Sequence, residues 1–299
     1  MSPLGIAIPF YRNIPYLRAA LRSVTEQSSP DWRLWVIDDS AEHEAEATVR
    51  EGIASFDDPR IHYLRNPTTL GMVSNWNRCL DTADTELVSL LHADDRLLPN
   101  YVEVIQRVAR EHPKAVAVYC GATIIGASGE TKFSLADAIK RFFSPAGGPE
   151  VLLAGQPAAT ALMRGNFIIC PTLSFRRSVL GARRFDRDWR QVQDLELTLR
   201  LLMEGETLVG ASELSYAYRR HSESATWLQS QNRLRFDEEF LLFDQIAARA
   251  EALGWNQTAR VSHGKRIVKL HLAYRALRDL SRLQPRSASE TLRYLRSRW

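Results

Sequence analysis

The chain has 299 residues, of which 45% are hydrophobic and 25% charged, a balance that excludes a disordered polymer and suits one large or two ordinary globular domains. No stretch approaches the ~20 apolar residues of a membrane span, and "LGIAIPF" begins almost at once, without the basic and apolar regions of a secretory leader, so a cytoplasmic protein is expected. The net charge of +4 is uneven: from Trp255 to Trp299 eleven Arg or Lys face two acids, Asp279 and Glu290, so that segment carries +9.

In chain order, "LGIAIPF" is a short apolar run ended by Pro9, and "IPYLRAALRSVTEQ" places Ile14, Leu17, Leu21 and Val24 on one helical face. "WRLWVIDDS" reads as a strand ending in acids, "EHEAEATVREGIASF" as a helix, and "RIHYLRN" as a strand. A helix opens after Gly71 in "GMVSNWNRCLDTA". "ELVSLLHADD" is a strand, "LPNYVEVIQRVAREH" a helix with Pro99 near its start, and "KAVAVYCGATII" a strand. This order predicts a mostly parallel sheet covered by helices on both faces. Residues 126–165 are less regular, with "ASGET" as a turn and 144–150 as a flexible break suited to a lid. "GNFIICPTLSFRRSVL" predicts a strand and a short helix. "QDLELTLRLLMEG" is a helix closed by Gly205, "TLVGASELSYAYRRH" one or two strands, and the remainder is helical. Cys79, Cys120 and Cys170 are far apart and read as free thiols.

Ligands of such sheets bind beyond the carboxyl ends of the strands. Three segments fall there: Pro9 to Asn13, the pair Asp38 and Asp39, and His92 to Asp95. Adjacent carboxylates repel unless something positive lies near them. A hard divalent cation shared with substrate phosphates meets that need, and a helix N-cap is the competing use of Asp95. Phe10 or Tyr11 is placed to stack on a nucleobase. The chain has neither GxGxxG nor GxxxxGK[ST], which disfavours a dinucleotide fold and a P-loop.

Together, "AIPFYRNIPYLRAALRSVTEQ", "LWVIDDS", "LRNPTTLGMVSNWNRCLDTADTELVSLLHADDRLLP", "QDLELTLRLLMEG" and "YRRHSES" resemble the family 2 glycosyltransferases, over roughly residues 4 to 225. The resemblance implies an α/β GT-A fold, with a Rossmann-like, mostly parallel nucleotide-sugar-binding sheet. On this reading residues 1–225 form the catalytic domain, with a donor half of about 1–125 and an acceptor half of about 126–225. Residues 226–299 are a basic, amphipathic helical extension. The resemblance also implies an inverting transfer from a nucleotide-sugar with Mn²⁺ or Mg²⁺.

By position in the motifs, Pro9, Phe10 and Tyr11 would line the base. Asp39 would hold the base or ribose edge, and Asn77 would lie near the diphosphate. Asp94 would contact ribose or metal and Asp95 would bind the metal. His221 would complete the metal or diphosphate site, with Arg219 and Arg220 neutralising phosphate. Asp194 would be the general base, with Glu196 as the fallback. One departure stands out: many members carry D-x-D-D, and here His92 occupies the first place. Trp189 and Asp188, just before the base, are the acceptor-side candidates. Trp189 serves either as a sugar platform or as core.

The chemistry agrees with this assignment. Breaking a sugar–diphosphate bond develops charge on the leaving group, which a metal stabilises, and the acceptor hydroxyl needs a positioned base. UDP or dTDP is the expected nucleotide, because a small pocket with an Asp suits a pyrimidine. The acceptor is a glycan, a lipid-linked sugar or a small molecule. Two alternatives belong to other classes. A nucleotidyltransferase needs a Gly-rich basic loop after the first strand, and "PFYRN" has no glycine. A non-catalytic nucleotide-sugar-binding module would be indifferent to loss of Asp194. Nucleic acid is not an expected partner. The basic tail suits packing on its own domain, a homodimer, or peripheral contact with the inner membrane face.

Overall fold

The structure is a computed structural model that describes residues 2–40, 46–132, 148–221 and 234–297. Residues 144–147 of the expected lid and 42–45 of the second expected helix lie outside them.

The donor half alternates as its apolar periodicity requires: β1 (Leu4–Phe10), α1 (Ile14–Thr25), β2 (Trp32–Asp38), α2 (Glu46–Ala54), β3 (Ile61–Arg65), α3 (Met72–Thr82), β4 (Leu87–Leu90), β5 (Arg96–Leu97), α4 (Tyr101–Glu111) and β6 (Ala117–Ile125). The second half contributes β7 (Glu150–Ala154), α5 (Gly155–Arg164), a 3₁₀ turn (Cys170–Thr172), β8 (Ser174–Arg176), α6 (Arg177–Leu180), α7 (Gln193–Met203) and β9 (Thr207–Arg219). Four helices follow: α8 (Leu234–Ala252), α9 (Asn256–Gly264), α10 (Arg266–Ser281) and α11 (Pro285–Ser297).

The nine strands of the described residues join one sheet, in the order β3-β2-β1-β4-β8-β6-β9-β5, with β7 on β9. Strands β3, β2, β1 and β4 are parallel, with Ile8 paired to Val36 and Gly5 to Val88. β8 enters antiparallel between β4 and β6. The chain runs outward from β1 in both directions, so the crevice at the β1/β4 boundary is the switch point where such sheets take ligands.

Side chains alternate across the sheet. Ile6, Ile8, Phe10, Leu34 and Val36 face a core closed by α1, α2 and α4. Ala7, Trp35 and Ile37 face the other core, built with α3, α5, α7, α8 and α10. Phe236, Phe240, Phe243 and Leu272 belong to that second core, so the C-terminal helices close one face of the sheet.

Residues 148–165 are more regular than their composition suggests. β7 pairs antiparallel with β9 from Glu150↔Ala211 to Ala154↔Thr207, and α5 follows at once. The strand expected within "GNFIICPTLSF" is reduced to Ser174–Arg176, because Pro171 introduces a 3₁₀ turn instead. Gly205 closes α7 with φ 91, as the sequence predicts.

Candidate active site

At the end of β2 the two acids do different work. Asp38 is buried against its own sheet: its carboxylate accepts from Ser40 N (2.8 Å), Tyr63 Oη (2.5 Å) and Arg65 Nη1 (2.9 Å). Asp39 turns the other way, toward the 66–71 loop. Its carboxylate accepts from Asn66 Nδ2 (2.6 Å), Leu70 N (2.7 Å) and Gly71 N (2.9 Å). Asn66 Nδ2 also reaches Asn75 Oδ1 at 3.1 Å, and Asn75 donates to Ile37 O. Asp39 therefore reaches α3 through Asn66.

The next residue of α3 looks toward the other acidic tip. Trp76 stacks on the His92 ring, with centroids 4.9 Å apart and planes inclined by 29°. One turn of α3 thus touches both strand ends across the switch point. His92, Asp94 and Asp95 each offer a ligand atom within 4.8 Å of the others. Asp95 is fully buried: Oδ1 accepts Arg219 N (2.6 Å) and Oδ2 accepts Tyr216 Oη (2.9 Å). Burial and the Asp94 charge push its carboxyl well above the usual range. Burial opposes ionisation of Asp94, but the hydrogen bond from His221 Nε2, 2.9 Å from Asp94 Oδ2, together with the charges of His92 and His221, prevails and keeps that carboxyl low. Burial lowers the pKa of His92, and its buried Nε2 lacks a hydrogen-bond partner among the described residues.

Arg219 fastens this corner. Its guanidinium donates to the carbonyls of Asp94 (2.5 Å), Gly126 (2.9 Å) and Ala127 (2.7 Å) and lies 4.7 Å over the Tyr16 ring. The Tyr16 ring meets His221 edge-on at 5.1 Å. Arg219 is spent on main-chain carbonyls, while Arg220 is exposed, its N–H on Ile125 O.

Of the two aromatic rings after β1, Phe10 is fully buried and Tyr11 is 40% exposed, so Tyr11 is the ring that a ligand can reach. Pro9 pairs with Ile37 inside the sheet. Asn77 is buried, and its amide is engaged on both sides with the main chain of Phe185: Nδ2 to Phe185 O at 2.8 Å and Phe185 N to Oδ1 at 2.9 Å. It fastens the segment that leads to α7.

Asp194 sits in the first turn of α7, half-buried, and Glu196 is buried beside it. Glu196 is held by Arg200, Nε to Oε1 at 2.8 Å, with Arg249 at 3.8 Å. The Cys170 thiol, on the 3₁₀ turn, is pushed well up by burial and by the charges of Asp194 and Asp95. Asp188 is exposed, and Trp189 is buried in the core. The backbone just after Trp189 is held by Glu238 of α8, whose carboxylate accepts Arg190 N (3.1 Å) and Gln191 N (2.8 Å).

Sequence reasoning missed Trp76, Tyr216, Cys170 and Glu238. Trp76 adjoins Asn77 in the helix that opens after Gly71. Glu238 lies between Phe236 and Phe240 in sequence but on another side of the helix, and its neighbours Asp237 and Glu239 are also acids, so the sequence carries no signal of its role.

The sequence profile of the family described as glycosyl transferase family 2 matches residues 5–180. An uncharacterized protein of Mycobacterium tuberculosis is 28% identical over 229 residues, covering 73% of this chain and 67% of that protein. The GalNAc(5)-diNAcBac-PP-undecaprenol beta-1,3-glucosyltransferase of Campylobacter jejuni is 30% identical over 112 residues, which are 37% of this chain and 36% of that enzyme. Among solved structures, S. aureus TarS 1-349 in complex with UDP-GlcNAc superposes with a TM-score of 0.65 at 15% identity, covering 88% of this chain and 72% of TarS 1-349. The mannosyltransferase PcManGT of Pyrobaculum calidifontis, in complex with GDP-Man and Mn²⁺, gives a TM-score of 0.59 at 14% identity, with 98% and 75% covered. These two likenesses establish the fold, a GT-A sheet with C-terminal helices.

Proposed function

Since the chain belongs to glycosyltransferase family 2, we propose that it moves a sugar from a nucleotide-diphosphate sugar, UDP- or dTDP-linked, onto an acceptor hydroxyl with inversion at the anomeric carbon. The observation that carries this reading is the convergence of His92, Asp94 and Asp95 within 4.8 Å just beyond β4, at the switch point of the sheet. An acidic cluster there suits a cation that meets a diphosphate.

In this reading Tyr11 stacks on the base, beside Pro9, and Asp39 shapes the 66–71 loop along the base and ribose edge. Asp94 and His221 lie toward the ribose and diphosphate, with Arg220 at the rim. The residues fit a divalent ion, Mn²⁺ or Mg²⁺. His92, Asp94 and Asp95 converge within 4.8 Å, and the buried His92 Nε2 has no hydrogen-bond partner among the described residues. Asp95 and Asp94 would hold the ion, with His92 or His221 beside them. When bound, the ion supplies charge stabilisation for the departing diphosphate.

Asp194 takes the proton from the acceptor hydroxyl as its oxygen attacks the anomeric carbon. The bond from that carbon to the diphosphate oxygen breaks on the opposite face. Glu196 is unsuited to this task because Arg200 already holds its charge. Asp188 lies at the acceptor edge, and the packed Trp189 forms its floor. The acceptor is a glycan, a lipid-linked sugar or a small hydroxylated molecule. The polyprenol-linked substrate named for the C. jejuni relative favours the lipid-linked class.

The test is a thermal-shift panel of UDP-, dTDP-, GDP- and CDP-sugars with and without Mn²⁺. Metal-dependent stabilisation by one donor is expected. Indifference to all four would overturn the reading.

A further inference from the structure

The C-terminal hairpin has an apolar side that its own domain does not use. Val268, Leu272 and Ala276 of α10 are buried and seat the helix. On its opposite side Leu270, Tyr274 and Leu277 form a second stripe at i, i+4 and i+7, which Leu280 and Leu283 prolong. These five side chains are between 48% and 90% exposed. A helix that packs on one core needs one apolar stripe. Leu283, at the tip between α10 and α11, sharpens the point: it has a left-handed backbone, φ 58, and is 90% exposed. A bulky residue in that conformation is unusual, and here it holds an apolar side chain out from the surface.

Both helices of the hairpin carry exposed cations. Arg266 and Arg278 of α10, Arg282 in the turn, and Arg286, Arg293 and Arg296 of α11 are all exposed. Of the two acids, Asp279 is buried and accepts from Ser287 Oγ at 2.7 Å. Arg286, Ser289, Glu290 and Arg293 line an open cavity of about 400 Å³ on α11. None of the described helices is long and apolar enough to cross a membrane, so any contact made here is superficial.

The charge selects the occupant. A second copy would set two +9 segments against each other. A nucleic acid would meet the arginines but leave five apolar side chains against its phosphates. An anionic bilayer satisfies both: apolar side chains enter the acyl boundary and arginines meet lipid phosphates. We propose that the α10–α11 hairpin docks this protein on an anionic lipid surface through Leu270, Tyr274, Leu277, Leu280 and Leu283 and the arginines around them. This inference rests on neither the donor nor the acceptor assignment.

The experiment is vesicle flotation of the full chain with phosphatidylglycerol–phosphatidylcholine vesicles and with phosphatidylcholine alone. Binding is expected to the anionic vesicles, weakening steeply with salt. L270S/L277S/L283S should weaken it at least about tenfold, and R266Q/R278Q/R282Q roughly a hundredfold at low salt. Unchanged melting temperatures and donor-induced shifts would confirm that both variants fold. Equal binding to neutral vesicles, or none to either at low salt, would overturn the proposal. So would a dimer that sediments as monomer only in the serine variant, or a DNA duplex that binds where vesicles do not.

Discussion

The Asp39 carboxylate and the Gly71 amide are joined by a 2.9 Å hydrogen bond that ties the end of β2 to the start of α3. Gly71 adopts φ 86 and ψ 161, a region open essentially to glycine alone. A Cβ there would meet nothing within 4 Å, so the cost of Gly71→Ala is conformational, about 1–3 kcal/mol. Asp39→Asn replaces an acceptor-only group with one bearing donors and should cost about 2–3 kcal/mol. Urea denaturation measures both. Wild-type stability in Asp39→Asn would refute the role given to this bond.

Asp194→Asn should lower kcat by about 10²–10⁴-fold and leave the metal-dependent thermal shift with donor intact. Glu196→Gln should act instead through stability, because it leaves Arg200 without its partner at 2.8 Å. A Glu196→Gln enzyme that folds normally but is as inactive as Asp194→Asn would reverse the assignment of the base.

Chelation should abolish both turnover and donor-induced stabilisation, and added Mn²⁺ should restore them. Asp94→Asn should raise the Mn²⁺ concentration needed by about tenfold or more, because it weakens both the ion's seat and the His221 contact at 2.9 Å. Full activity in excess chelator would remove the ion from the reaction.

Glu238 lies in α8, outside the family's matched span, yet it holds the main chain at Arg190 and Gln191, just ahead of Asp194. Glu238→Ala should cost about 2 kcal/mol for the unpaired amides. By loosening the base it should also lower kcat by up to about 10²-fold with donor KM unchanged. A proportional rise in donor KM would place the effect elsewhere.

On the flank of the sheet, Glu150 accepts from His112 Nε2 at 2.8 Å and from Arg107 Nη1 at 2.5 Å. Burial raises its pKa, but these two partners prevail and hold it below 4.5. A carboxyl with a depressed folded pKa stabilises above its unfolded value and loses that contribution as pH falls through the folded one. Glu150→Gln should therefore cost about 1 kcal/mol at pH 7, after allowance for the exposed part of the network. The difference from wild type should shrink below pH ~4.5. A difference independent of pH would mean that packing, and not charge, is at work.

Much of this was legible from the sequence because the information is local. The apolar runs of β1, β2 and β4, the helical stripe of α1 and Gly205 after α7 each fix their own segment. The alternation of these segments gives a mostly parallel sheet with acids at its strand ends, whereas the insertion of β8 between β4 and β6 is decided by tertiary pairing. The segment 150–164 was not legible. Its helix carries Gly155, Pro157 and three alanines, and it is seated by partners far along the chain, such as Thr160 on Thr258 at 2.8 Å.

The sequence by itself thus determined which residues could take part: an acidic pair at each of two strand ends, a carboxylate opening a helix, and a basic tail. Only the tertiary structure decided among them. The two-sided core buries Phe10 as the last residue of β1, and Tyr11, past the strand's end, is exposed. Asn77 is committed to Phe185, 108 residues away, and Glu196 is neutralised by Arg200 and Arg249. Periodicity records what each residue does for its own helix or strand, whereas the partner that occupies or orients a polar group comes from segments brought close only by folding.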